Sequence, residues 1–205
     1  METMDFSKSL KELYSAKRKA AEVTAGPGTF LAVESRGRPG GEEFQRAIEA
    51  LYSVAYTLKF TCKAEGTLNF KVNKLECLYF SDPGKTAMDD WQWRLLVRIP
   101  DEVAVKDVAA TKKSLRQKKG LDASAVKRIR WKEGRSVQVM HVGPYDDVGK
   151  TYEELGRYAA QNGLDVQGPA HEIYISDPRR TAPEKLKTIV RLGVKKGSGG
   201  RCRCC

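Results

Sequence analysis

Two stretches of this chain follow the same plan, and that repetition restricts the possible folds more than any other feature. In the first, residues 30–35 read as a strand, Gly37-Arg38-Pro39 as a turn, 42–60 as a helix, and 67–81 and 91–99 as strands. In the second, 136–142 reads as a strand, Gly143-Pro144 as a turn, 146–161 as a helix, and 170–176 and 186–194 as strands. A strand in each half ends in the same tripeptide, Ser81-Asp82-Pro83 and Ser176-Asp177-Pro178. Counting back from these tripeptides sets Tyr79 opposite Tyr174 and Cys77 opposite Glu172. The expected fold class is α+β: duplicated βαββ units, an antiparallel sheet, and a ligand groove between the related halves.

The individual elements rest on periodicity. Phe44, Ala47, Ile48, Leu51, Val54, Ala55 and Leu58 recur at helical spacing, and Glu42 and Glu43 stand in the first turn, where the helix dipole favours anions. Trp91, Trp93, Leu95, Val97 and Ile99 alternate with more polar residues, as one strand face does. Residues 103–119 read as an amphipathic helix with Val105, Val108, Ala109, Lys112 and Leu115 near one stripe, ended by Gly120. Residues 123–133, which include Trp131, read as a connector. The expected organisation is a lead-in over 1–28, a domain over 29–196 with halves at about 29–102 and 134–196, and a tail over 197–205. In the lead-in, Phe6, Leu10, Leu13 and Tyr14 fall at roughly helical spacing, and Ala25-Gly26-Pro27-Gly28 breaks the pattern.

Net charge is +11, and Lys195, Lys196, Arg201 and Arg203 in the tail leave +7 on the body. A second basic concentration runs from Lys106 to Arg135. It reads either as a nucleic-acid footprint or as a solvated helix face with its connector. No helix-turn-helix, zinc finger or RNA-binding motif accompanies it, so nucleic acid is not the expected partner. No secretory signal or bilayer-length apolar run is apparent, which points to a soluble cytoplasmic protein without a membrane partner. Cys62 and Cys77 stand apart, as free thiols do, while Cys202, Cys204 and Cys205 crowd a Gly-Ser-Gly-Gly-led tail and form a weak metal motif.

Alternation along 171–176 sends His171, Ile173 and Ile175 to one face, expected to pack under the helices, and Glu172, Tyr174 and Ser176 to the other. A Glu between apolar strand residues loses hydration, which raises its pKa toward general-base range; an ionised Glu among ring faces attracts cations instead. The plainer alternative is a Glu on an exposed sheet face. Tyr145, following Gly143-Pro144, can point a hydroxyl into the groove or lie in the core. Tyr79, Tyr174, Trp93, Trp131 and Cys77 are candidate lining residues, with Trp93 the most core-like. His141 and His171 could share a metal, but no third ligand is evident, and structural roles are expected. No cofactor motif occurs: there is no phosphate-binding loop, dinucleotide fingerprint or nucleophile elbow.

Several runs resemble the GyrI-like small-molecule-binding domains. They are His141-Val142-Gly143-Pro144-Tyr145, Tyr152-Glu153-Glu154-Leu155, His171 through Arg179, and Lys187-Thr188-Ile189-Val190-Arg191. In the first half, residues 44–48, 51–56 and 75–80 resemble the stand-alone branch, whose members include cyclopropanoid cyclopropyl hydrolases. The resemblance spans about 5–196. It implies an SHS2-type duplicated fold whose relatives include ligand-sensing domains of multidrug-responsive activators, using a groove Glu and aromatics for planar cations. It also implies hydrolases that open the strained cyclopropane of DNA-alkylating compounds, a form of xenobiotic detoxification. Glu172 matches the groove carboxylate and Tyr145 the Tyr of the Gly-Pro-Tyr motif. Two places depart from the pattern: Cys77, Tyr79 and Phe80 stand where relatives often carry Gly and then tryptophans, and Gly37-Arg38-Pro39-Gly40 lacks the usual acidic residues. Three functions are therefore expected in competition. These are a Glu-assisted hydrolase, a non-catalytic binder or sensor of hydrophobic or cationic drugs, and an interaction protein of the kind the family name suggests. Neither the physiological ligand nor the oligomeric state follows from the residues.

Overall fold

The computed structural model describes residues 2–197, so the three tail cysteines lie outside the described residues. Two short helices, α1 (Phe6–Ser9) and α2 (Lys11–Tyr14), lead into β1 (Ala21–Arg36), α3 (Glu42–Ala64), β2 (Leu75–Tyr79) and β3 (Gln92–Ile99). Helix α4 (Val105–Lys119) then joins this half to β4 (Lys127–Val142), α5 (Val148–Gln161), β5 (Leu164–Tyr174) and β6 (Lys187–Lys196). All strand pairs are antiparallel, and they close into a barrel in the order β1-β3-β2-β5-β6-β4. Each half supplies three neighbouring strands, and the halves meet at the β2/β5 and β1/β4 seams.

The repeated tripeptides prove to be matched turn devices. Ser81 Oγ accepts from the Gln92 amide at 2.8 Å, and Ser176 Oγ accepts from the Lys187 amide at 3.1 Å, so each serine ties the start of the next strand to the end of its own. Asp82 accepts from the Gly84 amide and Asp177 from the Arg179 amide, which fixes the turn in both halves. At the β2/β5 seam Cys77 pairs directly with Glu172. The two positions related by the repeat therefore face each other, and the pseudo-dyad passes between them.

Four expected element boundaries differ in the structure, two of them because β1 pairs with β4 to close the barrel. Residues 25–28 do not break the chain but lie inside β1, which pairs with β4 from Ala21 to Ala32. Pro27 is tolerated because β3 pairs with β1 only from Thr29 onward, so no second partner needs its missing amide. At Gly28 an added Cβ would sit 2.6 Å from the Arg98 guanidinium carbon. Residues 127–133, expected as connector, are strand, while 67–74 are not. Lys195 and Lys196 belong to β6 rather than to a tail. On α4 the buried stripe is Val108, Thr111 and Leu115; Val105 is exposed, and Lys112 reaches out to the carbonyls of Ser124 and Val126.

A closed barrel has an inside, and this reverses the expected faces of β5. Helices α3 and α5 cover the outer face, which carries Leu31, Val33, Cys77, Trp93, Leu95 and Val97 under α3 and Val137, Val139 and Val190 under α5. Glu172 and Tyr174 belong to that helix-covered side. His171 and Ile173 instead turn inward with Leu78, Leu96, Phe30 and Ile189. The lead-in closes the interior: Tyr14 donates to Glu76 at 2.8 Å, and Arg191 donates to the Leu13 carbonyl at 2.6 Å. Among the described residues no helix is long and apolar enough to cross a membrane.

Candidate functional site

Glu172 lies on the pseudo-dyad in the trough between α3 and α5, and is 6% exposed. Its carboxylate accepts two hydrogen bonds, from Tyr152 Oη on α5 and from Tyr174 Oη on its own strand, each at 2.9 Å. Tyr79 Oη lies 2.9 Å from Tyr174 Oη. A phenol carries one proton. Since that of Tyr174 goes to Glu172, that of Tyr79 goes to Tyr174, and the three groups form a directed relay ending at the carboxylate. Burial raises the Glu172 carboxyl above its ordinary range; the two phenol donors pull the other way by favouring the ionised form. A carboxylate has about four lone-pair sites, so two remain for a water or a cation.

Local sequence explains how these groups meet. Gly143 adopts φ 145°, a conformation open to glycine. His141 spans the turn, with Nε2 3.0 Å from the Pro144 carbonyl oxygen and Nδ1 2.8 Å from Thr151 Oγ1. In the neutral ring that pairing leaves one tautomer, with the proton on Nε2 and the threonine hydroxyl donating to Nδ1. The turn thereby delivers Tyr145 to a short 3-10 segment (Tyr145–Asp147), where its ring meets Tyr174 edge-on at 5.6 Å. Tyr145 is 36% exposed, and among the described residues its hydroxyl makes no hydrogen bond. Burial raises its pKa, and the Glu172 and Asp177 carboxylates raise it further.

The other candidates divide by strand face. Cys77 is fully buried beside Glu172, and burial, reinforced by that carboxylate, pushes its thiol well above the usual range; a neutral thiol is a wall rather than a nucleophile. Trp93 belongs to the core under α3, edge-on to Phe44 at 5.0 Å, with its indole N–H donating to the Gly37 carbonyl. Trp91 instead meets the Tyr79 ring at 5.8 Å. Trp131 does not join the groove. It shares its inward parity with Ile129 and Glu133 and packs on Phe30 and His171 inside the barrel. Tyr152 was missed as a site residue. The signal was present: Val148, Tyr152, Leu155 and Ala159 form one apolar stripe on α5, which has to lie on the sheet where Glu172 sits.

Directly beneath this site, on the inward face, lies a buried ionic cluster. His171 stands between Glu76 (Nε2 to Oε2, 3.1 Å) and Glu133 (Nδ1 to Oε1, 3.1 Å), and Arg191 bonds Glu133 at 2.9 Å and Gln138 at 3.0 Å. Burial opposes charge on His171, but Glu133 and then Glu76 overcome it and raise the imidazole to about 9. Burial likewise opposes charge on Glu133, and His171 and Arg191 bring its carboxyl down to about 2. His171 is thus an imidazolium clamped by two carboxylates. Glu76 and His171 are also repeat-related positions, so the pseudo-dyad carries a polar pair on both faces of the seam. A cavity of about 10 Å³ opens beside this cluster, room for a single water.

The sequence profile of the GyrI-like small molecule binding domain matches residues 22–195. An uncharacterized conserved protein from Listeria innocua is 38% identical, with TM-score 0.89, over 94% of this chain and 100% of its own. A second Listeria innocua structure, described as a hydrolase, is 38% identical with TM-score 0.86 at the same coverage. A third, a hydrolase encoded by lin2189 of Listeria innocua, is 37% identical with TM-score 0.87, over 95% of this chain and 100% of its own. The EcmrR C-terminal domain shares the fold at 14% identity and TM-score 0.57, over 87% of this chain and 98% of that one. No curated protein matches the sequence.

Proposed function

The chain belongs to the GyrI-like small-molecule-binding family, and from that premise we propose that it hydrolyses strained cyclopropane rings of aromatic alkylating compounds at Glu172. The observation that carries this reading is the buried carboxylate itself: it is held by Tyr152 and Tyr174, raised by burial, and has lone pairs to spare. The hydrolase descriptions of relatives at 37–38% identity support it.

The step balances without a cofactor. A water oxygen attacks the cyclopropyl methylene, the strained C–C bond breaks, and its electron pair passes into the conjugated carbonyl of the ligand. Glu172 takes the proton that water loses, and the carbonyl oxygen ends protonated, so product equals substrate plus one water. Ring strain and aromatisation of the product drive the step, leaving a single base and an oxygen-side donor as the protein's contribution. Tyr145 suits the donor role. Tyr79 does not, because its proton is already directed at Tyr174. Tyr79, Tyr174 and Cys77 form walls, and Trp91 extends them; Trp93 stands behind as core.

A non-catalytic binder is the second reading, favoured by the same carboxylate lying among ring faces, an arrangement that attracts flat cations. Mass spectrometry separates the two. Incubation with a cyclopropane-bearing aromatic electrophile should give many turnovers of a product heavier by one water, lost in Glu172→Gln. Unchanged compound that co-purifies with the protein, and binds less well to Glu172→Gln when cationic, would establish the binder.

A further inference from the structure

From Asp101 to Arg135 the chain carries eleven cations and five carboxylates, and the fold decides which of them stay free. Arg128 donates to the carbonyls of Val103 at 2.6 Å and Asp101 at 3.0 Å, and Lys112 to those of Ser124 at 2.8 Å and Val126 at 2.9 Å. Arg135 pairs with Glu22 at 2.6 Å. The other eight cations are exposed, and among the described residues none of them forms an ion pair. Of the carboxylates, Glu133 turns into the barrel, where His171 and Arg191 neutralise it. Asp107 and Asp122 accept the amides of Ala104 and Ser124. With Asp101 and Glu102 they are half as many as the free cations, so this side of the molecule is strongly positive.

The tethers also decide its shape. Lys112 and Arg128 fasten the start of β4 to α4 and to the turn before it, so Lys106, Lys113 and Arg116 of α4 adjoin Lys127, Arg130 and Lys132 of β4. Helix α4 has 15 residues and is about 22 Å long; β4 advances about 17 Å from Lys127 to Lys132. A duplex segment of about 20 Å carries about twelve phosphates, enough to partner every free cation.

The neighbours of these cations select the polyanion. A helix that lies on a membrane needs an exposed apolar face, but Val108 and Leu115 of α4 are spent on the core under α3. A single-strand binder stacks bases on aromatic rings. The one aromatic residue in the stretch is Trp131, and it packs inside the barrel on Phe30 and His171. What remains is charge on a rigid, two-element surface, which suits phosphates at fixed spacing and reads no bases.

We propose that the basic face of α4 and the first half of β4 docks on the phosphate backbone of duplex nucleic acid, independently of sequence. The site is separate from Glu172 and does not depend on how that residue acts.

Fluorescence anisotropy of the full chain with a labelled 20-base-pair DNA duplex tests it. The dissociation constant should be about 1–100 μM in 0.15 M NaCl, and the logarithm of affinity should fall against that of salt with a slope of about −5. A second duplex of unrelated sequence should behave alike. Lys113→Gln/Arg116→Gln/Arg130→Gln/Lys132→Gln should weaken binding at least ten-fold and make the slope shallower by about three. Lys8→Gln/Lys11→Gln/Lys17→Gln/Lys19→Gln removes the same charge from the exposed side of the lead-in and should change the slope by less than about one. If the first variant melts below the wild type, Lys113→Gln/Lys132→Gln, one site on each element, should give about half the change. Absence of duplex binding in 0.05 M salt would overturn the proposal. So would equal losses in the two fourfold variants, which would mean net charge alone, or tighter binding to phosphatidylserine vesicles than to duplex, which would mean a membrane surface.

Discussion

Replacing Arg191 by methionine removes the guanidinium from the interior cluster while keeping an unbranched apolar stem. Arg191 is 2% exposed and lies on β6 between Gln138 of β4 and His171 of β5. It donates to Gln138 at 3.0 and 2.8 Å, to Glu133 at 2.9 Å and to the Leu13 carbonyl at 2.6 Å. Two carboxyl groups, an imidazolium and a guanidinium balance in formal charge; without the guanidinium the interior holds one uncompensated negative charge. Removing one partner of a buried pair costs about 3–5 kcal/mol. For a chain of this size that lowers Tm by roughly 6–20 °C. Adding Glu133→Gln removes the stranded charge, so the double variant should be more stable than Arg191→Met alone. Urea denaturation with calorimetry reads both quantities. A single-variant cost below about 1 kcal/mol, or costs that simply add in the double, would refute the argument that charge balance holds this interior.

The same cluster makes stability depend on pH. His171 rises from 6.5 to about 9 on folding, so its contribution is complete below pH 6.5 and is lost as pH climbs through 9. Glu133 falls from 4.5 to about 2, so its contribution is complete above pH 4.5 and is lost as pH drops through 2. Melting curves should peak between these limits and lose on the order of 3 kcal/mol between pH 6.5 and 9; a flat profile there would contradict the imidazolium. At the groove, Tyr152→Phe removes one donor from Glu172 and raises its carboxyl further. The acidic limb of the pH–rate profile should move up by about one pH unit, and a limb that stays in place or moves down would separate Tyr152 from the base.

The parts of this molecule legible in its sequence are those governed by local periodicity and by repetition. The α3 stripe from Phe44 to Leu58 and the twin Ser-Asp-Pro turns each have a short-range physical cause, so they could be found without knowing the tertiary fold. Repeat counting even set Cys77 opposite Glu172, and the seam pairs them directly. Closure of the barrel was not legible, because it depends on long-range pairing of β1 with β4. Pro27 and the charged run 127–135 disguised both strands: a proline on a half-paired edge and basic residues on an outward face look like loop. The inside of the barrel was hidden for the same reason. Glu133 reads as one acid among many bases, and Arg191 as a polar residue in an apolar strand, until closure brings them to His171. Read as part of a connector, Trp131 has no parity and remains a groove candidate; as a strand residue it has one, and it points inward.

The central claim is that Glu172 activates a water instead of attacking the ring itself, and a single-turnover reaction in ¹⁸O-water tests it most directly. With protein in excess over a cyclopropane-bearing aromatic electrophile, the first product formed should be two mass units heavier than in ordinary water. The Glu172 peptide should stay unlabelled. Unlabelled first product with ¹⁸O retained in the Glu172 carboxyl would mean a covalent ester and contradict general-base catalysis. Electrophile recovered unchanged would contradict hydrolysis altogether.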